Sequence, residues 1–256
     1  FKGSLLEQIR EEEKLDYESQ LVEPLMKNGL VFAYNTPEYV KDAGTPDRFA
    51  TVCKEQLDGI WDAKCLINKQ KAIFLDRDGT INVHKGFLQS VDEFELIQGV
   101  AEGIKMLNQS PYLIIVATNQ PVIARGECTF EELDNIHKKM ETDLGKEGAF
   151  LNDVFFCPHH PHKGYKGEIS ELKIDCDCRK PKIGMLQRAA VKYNIDLTQS
   201  WYVGDTTMDI QTGINAGMRT ILVKTGEAGQ DGKYDAIPTA VKENLLEAAD
   251  YILKSK

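Results

Sequence analysis

Five short apolar runs rich in β-branched and aromatic residues punctuate the chain after residue 71: AIFL at 72–75, LIIVAT at 113–118, VFFC at 154–157, WYVG at 201–204 and TILVK at 220–224. Helical patterns separate them, at 99–108, from Thr129 onward, at 182–194 and at 207–216. Thr129 and Glu132 have the spacing of a capping box. Strands apolar on both faces must be covered on both. The alternation therefore predicts an α/β fold, a Rossmann-like parallel sheet sandwiched by helices. No internal repeat or low-complexity segment interrupts it.

The chain before residue 67 has a different rhythm. Residues 4–30 carry a charged helical pattern, with Glu11, Glu12, Glu13 and Lys14 on a solvated face, and LVFAY at 30–34 reads as a short strand. Thr45 is a capping residue and Pro46 suits a first helical position. The helix they open spans about 47–60, with Phe49, Val52, Leu57 and Ile60 as its apolar positions. Residues 62–71 read as a linker. The expected division is a small α+β extension with linker over 1–66 and a main domain over 67–256.

Composition narrows the classes. A net charge of −9 argues against a broad nucleic-acid footprint. No apolar run approaches the roughly 20 residues of a membrane span, and no signal-peptide pattern is visible. The chain starts with Phe1, so it is expected to be a fragment of a longer, cytoplasmic protein. Six cysteines are too few for a disulfide framework in a chain of 256 residues.

Chemistry gathers at the carboxyl ends of the predicted strands, where open parallel sheets bind ligands. Asp76 and Asp78 follow the first strand, and residues two apart in an extended chain face the same way. Like charges that close need a cation, and Mg²⁺ favours carboxylate and phosphate oxygens. Thr118 and Asn119 end the second strand, Asp205 ends the fourth with Asp209 four residues on, and Arg179 and Lys180 precede a helix. This set suits phosphoryl transfer to a carboxylate. Asp76 would attack phosphorus, and Asp78 would protonate the leaving oxygen and then activate water. Thr118, Asn119 and Lys180 would hold the phosphoryl oxygens. Asp205, Asp76 and the Asp78 backbone carbonyl would bind Mg²⁺, with Asp209 either a further ligand or an acid complementing a helix dipole.

A second cluster lies at 157–178, CPHHPHKGYKGEISELKIDCDC. Cys157, His159, Cys176 and Cys178 form two ligand pairs around a loop, the donor set of a closed tetrahedral zinc site. His159 is the favoured imidazole, with His160 and His162 as alternatives. Cys178 directly precedes Arg179 and Lys180, so zinc would fix the loop that presents both cations.

Phe74 to Thr80, Thr118-Asn119-Gln120, Arg179-Lys180-Pro181 and Gly204-Asp205 with Asp209 resemble the four motifs of the haloacid dehalogenase (HAD) superfamily of phosphatases. The longer strings RDGTIN, TNQ with IARG, and CDCRKP resemble its D-glycero-D-manno-heptose 1,7-bisphosphate phosphatase branch, whose histidinol-phosphate phosphatase relatives share the motifs. The resemblance implies a minimal cap, a structural zinc, and substrate choice by short loops: 83–90, the region around Arg125, and the segment after residue 157. Arg125 and Gln120 are the substrate-binding residues it implies. Its expected substrate is a small phosphorylated sugar losing its 7-phosphate. The chain departs from the pattern at Pro121-Val122, where the family has Ser-Gly, and at Thr206-Thr207. Proline offers no N–H and valine resists positive φ.

The string from Asn35 to Tyr39, with Lys41 to Arg48, resembles the tail of a sugar-phosphate nucleotidyltransferase. That implies a fusion parent with an upstream nucleotidyltransferase domain. Histidinol-phosphate hydrolysis is the nearest rival function. A non-catalytic zinc-stabilised module is a rival of another class, and phosphotransfer to an acceptor other than water is a third.

Overall fold

The computed structural model describes residues 16, 18–31 and 38–255. Glu11–Lys14, most of the expected strand at 30–34, and Asn35, Thr36 and Pro37 lie outside the described residues. The chain divides into two compact units, Phe1–Pro37 and Glu38–Lys256. The first contains a π-helical turn, Glu18–Val22, running into helix α1 (Glu23–Lys27).

The second unit begins with α2 (Pro46–Leu57) and α3 (Ile60–Ala63). The Thr45 side chain accepts a hydrogen bond from the Arg48 N–H, and Pro46 is the first helical residue. Two expected core positions are not buried: Phe49 is 59% and Leu57 87% exposed, whereas Ile60 is buried. The expected linker at 62–71 is also ordered against the main body. Gln70 is fully buried, donates its N–H to the Asn194 carbonyl at 3.0 Å, and donates Nε2 to the Tyr193 carbonyl at 2.5 Å. Lys71 already belongs to the first strand.

Six parallel strands follow: β1 (Lys71–Leu75), β2 (Tyr112–Asn119), β3 (Asp153–Cys157), β4 (Trp201–Gly204), β5 (Arg219–Val223) and β6 (Ala240–Lys242). Their order is β3-β2-β1-β4-β5-β6. The chain winds one way from β1 to β3, then starts again on the other side of β1 with β4. The switch point, where ligands settle in such sheets, is therefore the carboxyl end of β1 and β4. Helices α4 (Val100–Asn108), α5 (Val122–Arg125), α6 (Phe130–Lys146), α7 (Gly184–Tyr193), α8 (Thr207–Asn215) and α9 (Leu245–Lys254) connect and cover the sheet.

Alternate residues of each central strand enter different cores. Ile73, Leu75, Ile114, Val116, Trp201 and Val203 pack with residues of α4, α6 and α9. Ala72, Phe74, Leu113, Ile115 and Tyr202 pack on the other face with Met185, Leu186 and Ala189 of α7. Each fully buried large apolar side chain contributes roughly 1.5–3 kcal/mol, so burial on both faces explains the near-continuous apolar runs. The 76–99 connection contains only a short 3₁₀ turn, Val91–Glu93, and sends Leu88 and Phe94 into the core. It carries no cap domain among the described residues.

Candidate active site

Asp76 and Asp205 stand at the tips of the adjacent strands β1 and β4, and the Asp76 N–H donates to the Val203 carbonyl at 3.0 Å. Both acids are buried. The backbone can bring them this close because three positions lack a Cβ. A Cβ on Gly79 or on Gly226 would lie 2.2 Å from Asp205 Oδ2, and one on Gly204 would lie 2.3 Å from the Asp209 Cβ. Gly79 and Gly226 also have positive φ, +80° and +111°.

Lys180 enters between the acids. Its Nζ lies 2.8 Å from Asp76 Oδ1 and 2.6 Å from Asp209 Oδ1. The first contact is an ion pair rather than a directed hydrogen bond, since Asp76 Oδ1 has no hydrogen-bond donor. Burial opposes charge on Lys180, yet Asp209 and Asp76 outweigh it and hold the amine well above its usual pKa. Asp209 uses its other oxygen to close a capping box on α8, accepting from the Thr206 N–H and hydroxyl at 3.1 and 2.6 Å. The dipole-complementing position and the site position are thus the same residue. Asn119 steers Lys180 from the backbone side: its Oδ1 accepts from the Lys180 N–H at 3.0 Å and its Nδ2 faces the Lys180 carbonyl at 3.3 Å.

Asp78 reaches the same pocket differently from expected. The chain does not stay extended after Asp76; it turns, with the Ile81 N–H donating to the Arg77 carbonyl at 2.8 Å. The Asp78 carboxylate accepts from Arg77 Nη2 at 2.9 and 3.0 Å, from Gln120 Nε2 at 2.9 Å and from Asn82 Nδ2 at 3.1 Å. Burial raises its pKa, but the Arg77 charge and these hydrogen bonds prevail and lower it. Arg77 is fully buried, with Nη1 3.3 Å from His137 Nε2. Burial and the Arg77 charge drive the His137 pKa down to about 4. Neither Arg77, Asn82 nor His137 was singled out from sequence. An arginine locked between two acids was the available signal; His137, on α6, had none.

One pocket is lined by Asp76, Asp78, Thr118, Asn119, Arg179, Lys180 and Asp205, together with Phe87, Pro121 and Lys233. Gln120 is not among them. It is buried behind the pocket, where it joins Arg77, Asp78 and Thr118 Oγ1. There its amide braces Asp78 and Thr118. Arg125 stacks between Phe87 and Tyr165, with its guanidinium carbon 4.3 and 4.6 Å from the ring centroids. Pro121 precedes α5 with φ −69°, and Val122 is helical and buried, so valine's resistance to positive φ is never tested here.

The acidic cluster has the donors a hard cation requires. Ligand oxygens of Asp76, Asp205 and Asp209 lie within 4.8 Å of one another. Asp205 Oδ1 is buried with no partner. Burial, then the charges of Asp209 and Asp76, push the Asp205 carboxyl up to about 8; burial and Asp209 push Asp76 up to about 6. Asp209 already serves Lys180 and the α8 cap, so Asp76 and Asp205 offer the available oxygens. The Asp78 carbonyl accepts no backbone hydrogen bond among the described residues. Carboxylate and carbonyl oxygens at this spacing fit Mg²⁺.

At the end of β3 the second cluster assembles. Cys157 Sγ lies 3.1 Å from Cys178 Sγ and 3.5 Å from Cys176 Sγ, and His159 Nδ1 lies 3.2 Å from Cys178 Sγ. These separations are too long for disulfides and approach the edge of a tetrahedron about 3.8 Å on a side around zinc. Hydrogen bonding with Cys157 and Cys176 lowers the Cys178 thiol to about 5. His160 instead meets the backbone of His162 and the Tyr165 ring. Of the three histidines, the structure brings His159 to the sulfurs. Arg179 Nη1 donates to the His159 carbonyl at 3.1 Å, tying this loop to the pocket.

The chain is similar to known proteins in sequence and in fold. A HAD-hydrolase-like family model matches residues 177–248. The D-glycero-beta-D-manno-heptose-1,7-bisphosphate 7-phosphatase of Haemophilus ducreyi is 40% identical over 161 residues, 62% of this chain and 86% of the relative. The enzyme of that name from Haemophilus influenzae is 41% identical over 178 residues, 69% of this chain and 94% of the relative. The crystal structure of D,D-heptose 1,7-bisphosphate phosphatase from B. bronchiseptica, complexed with magnesium and phosphate, superposes with a TM-score of 0.62 at 34% identity, covering 72% of this chain and 99% of that one. With its strand-tip acids and lysine in the shared fold, this chain belongs to the same family of HAD-type phosphatases, hydrolases of phosphoric monoesters.

Proposed function

We propose that the chain removes the 7-phosphate of D-glycero-D-manno-heptose 1,7-bisphosphate through a phosphoenzyme on Asp76. The carrying observation is the Asp76–Lys180–Asp209 arrangement at the switch point of the sheet, in a chain about 40% identical to phosphatases of that name.

An Asp76 carboxylate oxygen attacks phosphorus, and the bond from phosphorus to the sugar oxygen breaks. Asp78, taking up a proton that arrives on the substrate's phosphate monoanion, gives that oxygen a proton as it leaves. As carboxylate, the form its surroundings favour, Asp78 then takes a proton from water. The hydroxide attacks phosphorus, phosphate departs and Asp76 is restored. Lys180 and the Thr118 hydroxyl stabilise the phosphoryl oxygens while Asn119 holds the Lys180 backbone in place. Arg179, pinned by the His159 carbonyl, adds positive charge at the rim. Asp76, Asp205 and the Asp78 carbonyl would hold Mg²⁺, which when bound offsets charge on the phosphoryl group. Cys157, His159, Cys176 and Cys178 would hold a structural zinc. Arg125 serves the substrate loop from its stack between two rings.

The reading extends to the whole chain. Residues 1–66 are the tail of a nucleotidyltransferase with a linker, 67–256 the phosphatase domain, and the parent a cytoplasmic fusion. Exposed Val40, Phe49, Leu57 and Ile67 support this as surface that a larger domain would cover. Free thiols throughout the described residues support a reducing compartment. No described helix is long and apolar enough to cross a membrane.

Phosphate release with Mg²⁺ from both anomers of the heptose bisphosphate, fructose 1,6-bisphosphate and histidinol phosphate tests the substrate. A strong preference for a heptose anomer is expected. Preference for histidinol phosphate would move the chain to its nearest rival, and release from none would reject the reading.

A further inference from the structure

The pocket contains a cation that none of these roles uses. Lys233 lines it, and among the described residues it forms neither an ion pair nor a hydrogen bond. The other two strong cations there are committed. Lys180 is held by two carboxylates, and Arg179 by the His159 carbonyl.

The loop that carries Lys233 is built with unusual definition. Between β5 and β6, Gly226, Ala228, Gly229 and Gly232 all have positive φ, +111°, +51°, +76° and +56°. Alanine is strained there, and neighbouring bonds hold it. The Glu227 N–H donates to Asp205 Oδ2 at 2.8 Å and the Gly229 N–H to the Asp205 carbonyl at 2.7 Å. Farther along, Asp231 accepts from the Thr207 N–H at 2.6 Å and the Thr207 hydroxyl at 2.8 Å, and the Tyr234 N–H donates to that hydroxyl at 3.1 Å. Lys233 thus stands between two anchored residues. Its backbone distance from the acids of the reaction centre is fixed, while its long side chain is left uncommitted.

We infer that Lys233 is a substrate-binding residue that takes the second, non-transferred phosphate of a sugar bisphosphate. The inference rests on the proposed substrate class and adds the residue that reads it. A lysine offers a point charge with three donors, suited to a phosphate in solvent reach at the pocket mouth. The transferring phosphate, by contrast, meets Lys180 in buried surroundings. The loops expected to choose substrate, at 83–90, near Arg125 and after residue 157, do not include this one.

The test compares kcat/KM for the heptose 1,7-bisphosphate with that for heptose 7-phosphate, which lacks the second group. Wild type should prefer the bisphosphate. Lys233→Met should lower the bisphosphate-to-monophosphate ratio about tenfold or more, mainly through KM, as expected when a charged hydrogen bond is lost. Lys233→Arg should restore most of the ratio. Asp231→Ala, which releases the anchor, should lower it in the same direction. A wild type that prefers the bisphosphate together with an unchanged ratio in Lys233→Met overturns the role of Lys233 alone. A wild type indifferent to the second phosphate overturns the bisphosphate reading and this inference together.

Discussion

The acidic cluster at the tips of β1 and β4 and the cysteine cluster at the end of β3 pose one electrostatic problem and resolve it differently. Each crowds potential metal ligands within 4.8 Å. The sulfur cluster turns its four ligand atoms toward one another, the arrangement a closed structural metal site would use. The oxygen cluster leaves Asp205 Oδ1 without a partner and opens on a pocket. Lys180 supplies part of its counter-charge, and the rest is left for a cation and a phosphate. If the proposed roles hold, the incomplete cluster is the one that turns over and the complete one the one that supports the fold.

The sharpest way to break this contrast is at the nucleophile. Asp76→Asn should lower phosphate release by at least about 10⁴-fold, as loss of a catalytic nucleophile does elsewhere. Its melting temperature should not fall, because one of the repelling charges is gone. A variant retaining wild-type turnover would remove Asp76 from the mechanism. Cys176→Ser should act in the opposite register: zinc content falls, the melting temperature drops by several degrees or more, and activity declines only as the 157–180 segment loosens. Equal zinc in mutant and wild type, by metal analysis, would show the sulfur cluster is not a zinc site.

A smaller effect separates the site's scaffold from its ligands. His137 is buried and neutral, with a pKa near 4 against an ordinary 6.5. Because folding depresses this pKa, the stability is fully present above pH 6.5 and drains as pH falls toward 4. The difference is worth up to roughly 3 kcal/mol. Urea titrations of wild type and His137→Gln should diverge in pH slope across that window. Parallel slopes would mean the imidazole takes up its proton without resisting the fold.

Much of this was legible before any coordinates. All five apolar runs became strands, because a run buried on two faces has few other fates. The strand-end motifs converged because parallel strands deliver their carboxyl ends to one edge. β6 was missed: AVK is short, half-exposed and lacks an apolar run. The helix from Thr45 was read correctly, but periodicity alone placed Phe49 and Leu57 inside, and no described partner covers them. The Gln120 brace was invisible for a related reason. Its motif position fixes the residue near the phosphate but not which side of Asp78 its amide approaches. The turn after Asp76, set by Gly79 and the Arg77 carbonyl, decides that.

The strand order also has a kinetic side. β1, β2 and β3 are contiguous in the chain, and β4 must insert beside β1 afterward. Asp76 and Asp205, more than a hundred positions apart in the chain, meet only where β4 pairs with β1. Assembling the acidic edge therefore depends on a long-range pairing, the kind of contact that slows folding relative to local ones.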